Sequence, residues 1–353
     1  MRPVDAEPTT VRRGAFWIAG DRHQGPLGAV LRGPMYVEWE APANGPRAPA
    51  VVLVHGGGGQ GTDYLITPDG RPGWARLLVD HGHAVYVVDR PGHGRSPHHP
   101  DVLGPMGPSL GAEFLKPIFL PDPDAPDGNP RARLHTQWPG GRDFGDAVFE
   151  QWLAAAGPML ADLAEMQRLE QARLAELLDR VGPAVVVAHS AGGPGAFLAA
   201  DARPDRVLAF VAIEVMGPPF LRQPEMGLDL AWGVAAAPIT FEPPLADPGE
   251  LRLVTREAPE GSPIPLTLQE DPPRTLPNLG RFPIAVVTSE ASPFAAFDRH
   301  LVAFLEQGGC DVDLVRLADH GVHGNGHGMM LERNHGEALS VITDWLRSRG
   351  LGS

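Results

Sequence analysis

The sequence predicts an α/β chain: a mostly parallel central sheet with helices on both faces. Three observations carry this. Short runs that are apolar throughout and rich in β-branched residues recur along the chain, among them AVVLV at Ala50–Val54, AVYVV at Ala84–Val88 and AVVVA at Ala184–Ala188. A strand that is apolar at every position, rather than at alternate ones, is buried on both faces. Helical segments separate these runs, and several runs end in turns rich in glycine, histidine or acidic residues. Ligands of such sheets bind at the carboxyl ends of the strands, so those turns mark where function should be sought.

In chain order, Phe16–Ala19 and Met35–Trp39 read as short strands before a Pro/Gly turn at Ala41–Pro49. Ala50–Val54 is a buried strand ending in HGGGGQG, and Trp74–Asp80 a helix closed by His81-Gly82. Ala84–Val88 ends at Asp89, before the tight turn Pro91–Ser96. The Pro/Gly/Asp-rich stretch 97–145, with PDPDAPDGNP at Pro121–Pro130, is too long for an ordinary connection and reads as an insert near the site. Phe149–Arg180 is strongly helical, with Leu163, Met166, Leu169, Leu174, Leu177 and Leu178 giving a helical stripe that Gly182-Pro183 ends. Ala184–Ala188 is the next buried strand, and Gly195–Ala202 a small-residue helix. Val207–Ile213 and Ile284–Thr288 are two more buried strands, with a second Pro-rich insert, 215–280, between them. Val312–Leu317 is the last strand, and Leu331–Arg349 holds the last helix.

A chain of 353 residues, 43% hydrophobic, can bury one large core. The expected organisation is one domain over 1–353 with the two segments 97–145 and 215–280 as cap inserts. No apolar run reaches the ~18 residues that span a bilayer. The formal net charge of -14 argues against nucleic acid and anionic membranes, which call for a basic footprint. The single cysteine, Cys310, excludes an intrachain disulfide and a Cys-rich zinc site. The N-terminal MRPVDAEPTTVRRG has no apolar run behind its charges, so it does not read as a secretory leader and a cytoplasmic location is expected. A homo-oligomer is compatible with the sequence.

The segment VVVAHSAGGPGAF runs from strand through Ala188-His189-Ser190-Ala191-Gly192 into helix. A sharp strand–turn–helix elbow holds its central residue at strained φ/ψ and needs small neighbours, which Ala188 and Gly192 supply. Such an elbow lifts the Ser190 hydroxyl out of the sheet. The blander reading is a glycine pair that merely starts a tightly packed helix.

Together, HGGGG after one strand, DRPGHGRS after the next, AHSAG after the third and a histidine-bearing loop after the last resemble the α/β-hydrolase superfamily, on its esterase/lipase side, from about Pro49 to Ser353. The resemblance implies an α/β-hydrolase fold, a serine nucleophile at Ser190, and a structural rather than catalytic role for Asp89. It implies an oxyanion hole from the N–H of Ala191 and one from the loop after the third strand, with Gly57 the first choice and Gly58 the second. A phosphate cradle is the competing reading of that loop, disfavoured because Gln60-Gly61 stands where a lysine would meet phosphate.

The last loop, Asp319–His327, offers His320, His323 and His327. The family places its base late in this loop, which favours His327 over His323. A metal site formed by the three is the rival reading, but a glycine-rich loop orients ligands poorly. The acid departs from the commonest pattern. The turn after Ile284–Thr288 carries Ser292 where an Asp is expected, and serine cannot hold the charge that stabilises an imidazolium. Glu214 closes the apolar sixth strand. Buried unpaired it would cost several kcal/mol, so it should have a partner. A subset of the superfamily, including some bacterial esterases and a mycotoxin lactonase, carries a Glu acid at this place. Glu290 and Asp298 are rivals, and a structural ion pair is the alternative role for Glu214.

The expected function is carboxylic ester hydrolysis by a Ser190–His327–Glu214 triad through an acyl-enzyme, without cofactor or metal. A lactone hydrolase with the same triad is the nearest alternative, and a non-catalytic ligand-binding receptor the more distant one. Phe114, Leu115, Phe119, Leu120, Phe220, Leu221, Trp232 and Phe241 in the inserts either roof a partly apolar substrate site or anchor the inserts to the core.

Overall fold

Eight strands form one twisted sheet in the order β1-β2-β4-β3-β5-β6-β7-β8. They are β1 (Val11–Ile18), β2 (Met35–Pro42), β3 (Ala50–Val54), β4 (Val85–Asp89), β5 (Ala184–His189), β6 (Val207–Ile213), β7 (Ile284–Thr288) and β8 (Val312–Arg316). The structure is a computed structural model and describes residues 10–125 and 128–352. The first nine residues of the N-terminal segment, and 126–127 within the Pro121–Pro130 run, lie outside the described residues. β2 is antiparallel to β1 and β4, and every other pairing is parallel. This is the α/β-hydrolase fold that the sequence implies.

The apolar strands show why both faces must be covered. Val52, Val54, Val186, Ala188, Phe210 and Val286 join one core layer. Val51, Leu53, Val185, Val187, Val211 and Val287 join the other. Alternate residues of one strand point to opposite faces. Each of the larger side chains gains about 1.5–3 kcal/mol from leaving water, so a run with no polar position stays buried only between two layers of helices.

Several sequence boundaries shift. β1 and β2 are longer than expected because they pair with each other over eight residues, from Val11↔Pro42 to Ile18↔Met35. Pairing, not apolarity, holds Arg12 and Arg13 in a strand. The long helical stretch is two helices, α3 (Ala147–Leu153) and α4 (Leu163–Val181), which follow α1 (Trp74–Asp80) and α2 (Ala112–Phe119). The break falls around Gly157-Pro158, where the proline disfavours helical geometry in the residue before it. Both helices begin on an aspartate. Asp146 accepts from the N–H groups of Val148 and Phe149, and Asp162 from that of Glu165. α4 ends at Gly182, as expected, in a φ of 85° that side chains rarely adopt. The remaining long helices are α5 (Gly193–Ala202), α6 (Asp298–Gln307) and α7 (His335–Ser348).

The segments 97–145 and 215–280 differ. In 215–280, Phe220, Trp232 and Phe241 are buried in the first core layer, so these rings anchor the segment. In 97–145, Leu115 within α2 and Leu120 just after it are buried, whereas Phe119 at the end of α2 packs on a histidine at the carboxyl edge of the sheet.

Candidate active site

The carboxyl edge brings together residues from five strand ends. β5 and β6 pair with His189 opposite Ile213, so Ser190 and Glu214 leave the sheet side by side. Both turn with positive φ, 50° and 42°, the only described non-glycine residues besides Phe220 to do so. Such backbone costs roughly 1–3 kcal/mol per residue and persists where packing enforces it. The enforcing contacts are visible. A Cβ on Gly192 would lie 2.2 Å from the His55 carbonyl oxygen, and one on Gly56 would lie 3.0 Å from Cβ of Ser190. The glycines thus let the loop after β3 press against the turn after β5. Residues Ser190–Gly192 form a short 3-10 turn that leads directly into α5, and Ser190 remains partly accessible.

Oγ of Ser190 lies 2.9 Å from Nε2 of His327, and Nδ1 of His327 lies 2.7 Å from Oε2 of Glu214. An ionised Glu214 can only accept, so the Nδ1–H of His327 donates to it, leaving the Nε2 lone pair for the Ser190 hydroxyl. Glu214 has further partners. Its Oε1 accepts from the Ser289 N–H at 2.8 Å and lies 2.6 Å from the Ser289 hydroxyl, while its Oε2 accepts from the Ser292 hydroxyl at 2.7 Å. The serine standing where an aspartate was expected thus binds the carboxylate that stands elsewhere. Burial pushes the Glu214 carboxyl up, against the pull of the hydrogen bonds from Ser289 and Ser292, and it pushes the His327 imidazole down.

The imidazole of His327 is enclosed by rings. Phe294 stacks on it at 4.1 Å and 13°, Phe119 meets it edge-on at 4.9 Å, and the His189 ring lies 4.5 Å away. Nε2–H of His189 donates to the His327 carbonyl at 2.9 Å, with burial pushing its pKa down to about 3 so that the ring stays neutral. Behind the loop, buried Glu332 accepts from Gly326 N at 3.0 Å, from Asn325 Nδ2 at 2.8 Å and from His135 Nε2 at 2.8 Å. Of these contacts the sequence singled out Phe119, as a ring that either roofs the site or anchors its segment; Phe294, Glu332 and His135 were not foreseen, and His189 carried a signal only as the residue before Ser190.

Gly57 lies against Ala191, with a Cβ built on it 3.1 Å from that of Ala191. Among the described residues no protein acceptor takes the Gly57 N–H. Gly58 has φ 68° and its carbonyl accepts from Gly157, which ties it to the chain ahead of α4.

The rival residues are occupied elsewhere. Nδ1 of His323, an exposed ring, lies 3.2 Å from Glu290, which also accepts from Gly324 N at 2.7 Å. Asp298 pairs with Arg316 at 2.8 Å. His320 is exposed in a 3-10 turn. Among the described residues no three His, Cys, Asp or Glu side chains form a group able to hold a metal ion. Asp89 accepts from Gly61 N at 2.6 Å and from Arg95 N at 2.8 Å, which fixes the turn after β4 against the loop after β3.

Residues 49–237 match the family model described as the alpha/beta hydrolase fold. The chain is 37% identical over 320 residues, 89% of its length and 86% of the relative's, to a protein of Fungal sp. (strain ATCC 74256) named "Probable secreted lipase phiG". Among solved structures it is similar to one described as a novel bacterial esterase, with a TM-score of 0.68 at 22% identity over 99% of both chains. The chain belongs to the α/β-hydrolase family, as an esterase/lipase-like serine hydrolase. No described helix is long and apolar enough to cross a membrane. The expectation of a cytoplasmic location is corrected, because the relative at 37% identity is named a secreted lipase. One cysteine is compatible with an oxidising or a reducing compartment, so cysteine usage carried no information about location.

Proposed function

We propose that the protein hydrolyses carboxylic esters by two-step acyl transfer, with Ser190 as nucleophile, His327 as general base and acid, and Glu214 as the acid that orients and charges the imidazole. One observation carries this reading: an unbroken chain of short contacts from Oγ of Ser190 through both nitrogens of His327 to Glu214, 2.9 and 2.7 Å long. His327 takes the proton of Ser190 as Oγ attacks the ester carbonyl. Glu214 holds the tautomer and stabilises the imidazolium that forms. The N–H groups of Gly57 and Ala191 receive the charge developing on the carbonyl oxygen. His327 then returns its proton to the departing alcohol and activates the water that resolves the acyl-enzyme.

Phe119 and Phe294 against His327 give the site an apolar wall, which favours a partly apolar small-molecule ester. The hydroxyl chemistry is the same for a lactone, whose leaving alcohol stays tethered to the acyl group. Fluorophosphonate labelling and turnover of p-nitrophenyl acetate test the reading. Wild type labels and turns over with an acyl burst, while Ser190→Ala does neither. An alanine variant that retains turnover would sink it, and a panel of open-chain esters against lactones then assigns the substrate class.

A further inference from the structure

Arg90 follows β4 and is fully buried, yet no step described above uses it. Its Nη2–H donates to the Gly56 carbonyl at 2.8 Å, and its Nη1 reaches the Ala191 carbonyl at 3.5 Å while pairing with Glu170, which is also fully buried. The Gly56 carbonyl also accepts from Nδ1 of His55 at 2.9 Å, and the Arg90 N–H donates to Nε2 of that ring at 3.0 Å. Arg90 therefore touches the Gly56 carbonyl twice, once directly and once by fixing the tautomer of His55.

Resting on the acyl-transfer reading above, we propose that Arg90 is a positioning residue: by holding the Gly56 carbonyl it aims the Gly57 N–H at the oxyanion. The reason is the planarity of the peptide. In a trans peptide the carbonyl of one residue and the N–H of the next point in opposite directions. Two donors on the Gly56 oxygen fix the plane of the 56–57 peptide, so the Gly57 N–H faces away from Arg90. Among the described residues no protein acceptor takes that N–H, which leaves it open to a substrate oxygen, as it does those of Gly56, Gly58 and Gly59. A run of four glycines has little conformational preference of its own, so an N–H there stays aimed only if something outside the loop holds it. A planar guanidinium with several donors does so, and its reach to the Ala191 carbonyl ties the same clamp to the turn bearing the second N–H. Glu170 balances the charge, and burial together with the Arg90 charge keeps His55 neutral, the state its two hydrogen bonds require.

Two variants test this. Arg90→Lys keeps the charge opposite Glu170, and so keeps the fold, but a single ammonium cannot serve Glu170 and both carbonyls. Arg90→Met combined with Glu170→Met removes both charges together and leaves no lone buried carboxylate. With p-nitrophenyl acetate, kcat should fall about 10–100-fold with KM within about threefold, because the oxyanion exists only after attack. Fluorophosphonate labelling should slow in proportion, at unchanged far-ultraviolet circular dichroism. A kcat within threefold of wild type in either folded variant, or a loss carried by KM, overturns the proposal. If the double variant does not fold, Arg90→Lys decides alone. Ser190→Ala run alongside separates the two claims. Turnover by it fails the whole reading of the site, whereas an inert Ser190→Ala beside fully active Arg90 variants fails only the positioning role.

Discussion

The turns after β6 and β7 lie next to each other at the carboxyl edge, and both reach the same imidazole. The turn after β6 supplies a carboxylate, Glu214, from a left-handed backbone. The turn after β7 supplies hydroxyls and an N–H, from Ser289 and Ser292, that bind this carboxylate. Charge and its solvation thus come from different strands. On the proposed acyl-transfer reading, a charge near His327 is what the chemistry requires and the strand that delivers it is open to exchange, because the Glu214 Oε2 that lies 2.7 Å from Nδ1 of His327 also lies 2.7 Å from Oγ of Ser292.

The strongest attempt to break this division is Glu214→Gln. The amide keeps the shape but can present an N–H to His327 and stabilise the wrong tautomer. A fall of about 10³–10⁴-fold in kcat is expected, with little change in KM. Steady-state kinetics within tenfold of wild type would remove Glu214 from the mechanism. A smaller effect sharpens the comparison: Ser292→Asp placed on Glu214→Gln returns a carboxylate to the vicinity of Nδ1. It should recover at least about tenfold of the lost kcat, a modest share of what an imidazolium-stabilising charge is worth. No recovery would mean that a carboxylate at position 292 cannot take the place of Glu214 at Nδ1.

The smallest effect is read from pH. Burial disfavours the charged form of His327, so its proton-accepting form survives below the ordinary histidine range. The acid limb of kcat/KM should therefore have its midpoint below about 6.5. Falling pH protonates the base and abolishes activity, and a lowered pKa moves that loss to lower pH. Ser292→Ala deletes a hydrogen bond that holds the Glu214 carboxyl down. Its charge is then lost at higher pH, the acid limb moves up, and plateau kcat falls by about tenfold, the lower end of what one hydrogen bond to a charged group is worth. A profile unmoved by Ser292→Ala would show that Ser289 alone solvates the carboxylate.

The segments 97–145 and 215–280 carry a parallel lesson. Their rings looked alike in sequence, yet Phe220, Trp232 and Phe241 are buried in the core while Phe119 meets the His327 ring. Composition gives the apolarity of a ring and not its direction.

By itself the sequence determined the doubly covered sheet, since AVVLV, AVVVA and the IAVV of Ile284–Val287 have no polar position to turn to water. It also determined the elbow at Ser190, since only small neighbours permit so sharp a turn. It pointed to Glu214 because a carboxylate ending an apolar strand must find a partner. Tertiary structure decided the rest. Which of three histidines in one loop faces Ser190, what Ser292 does, and how Arg90 meets the Gly56 carbonyl all depend on segments far apart in the chain. Local composition fixes whether a strand is buried; only the packing of several strand ends fixes which side chains meet at their edge.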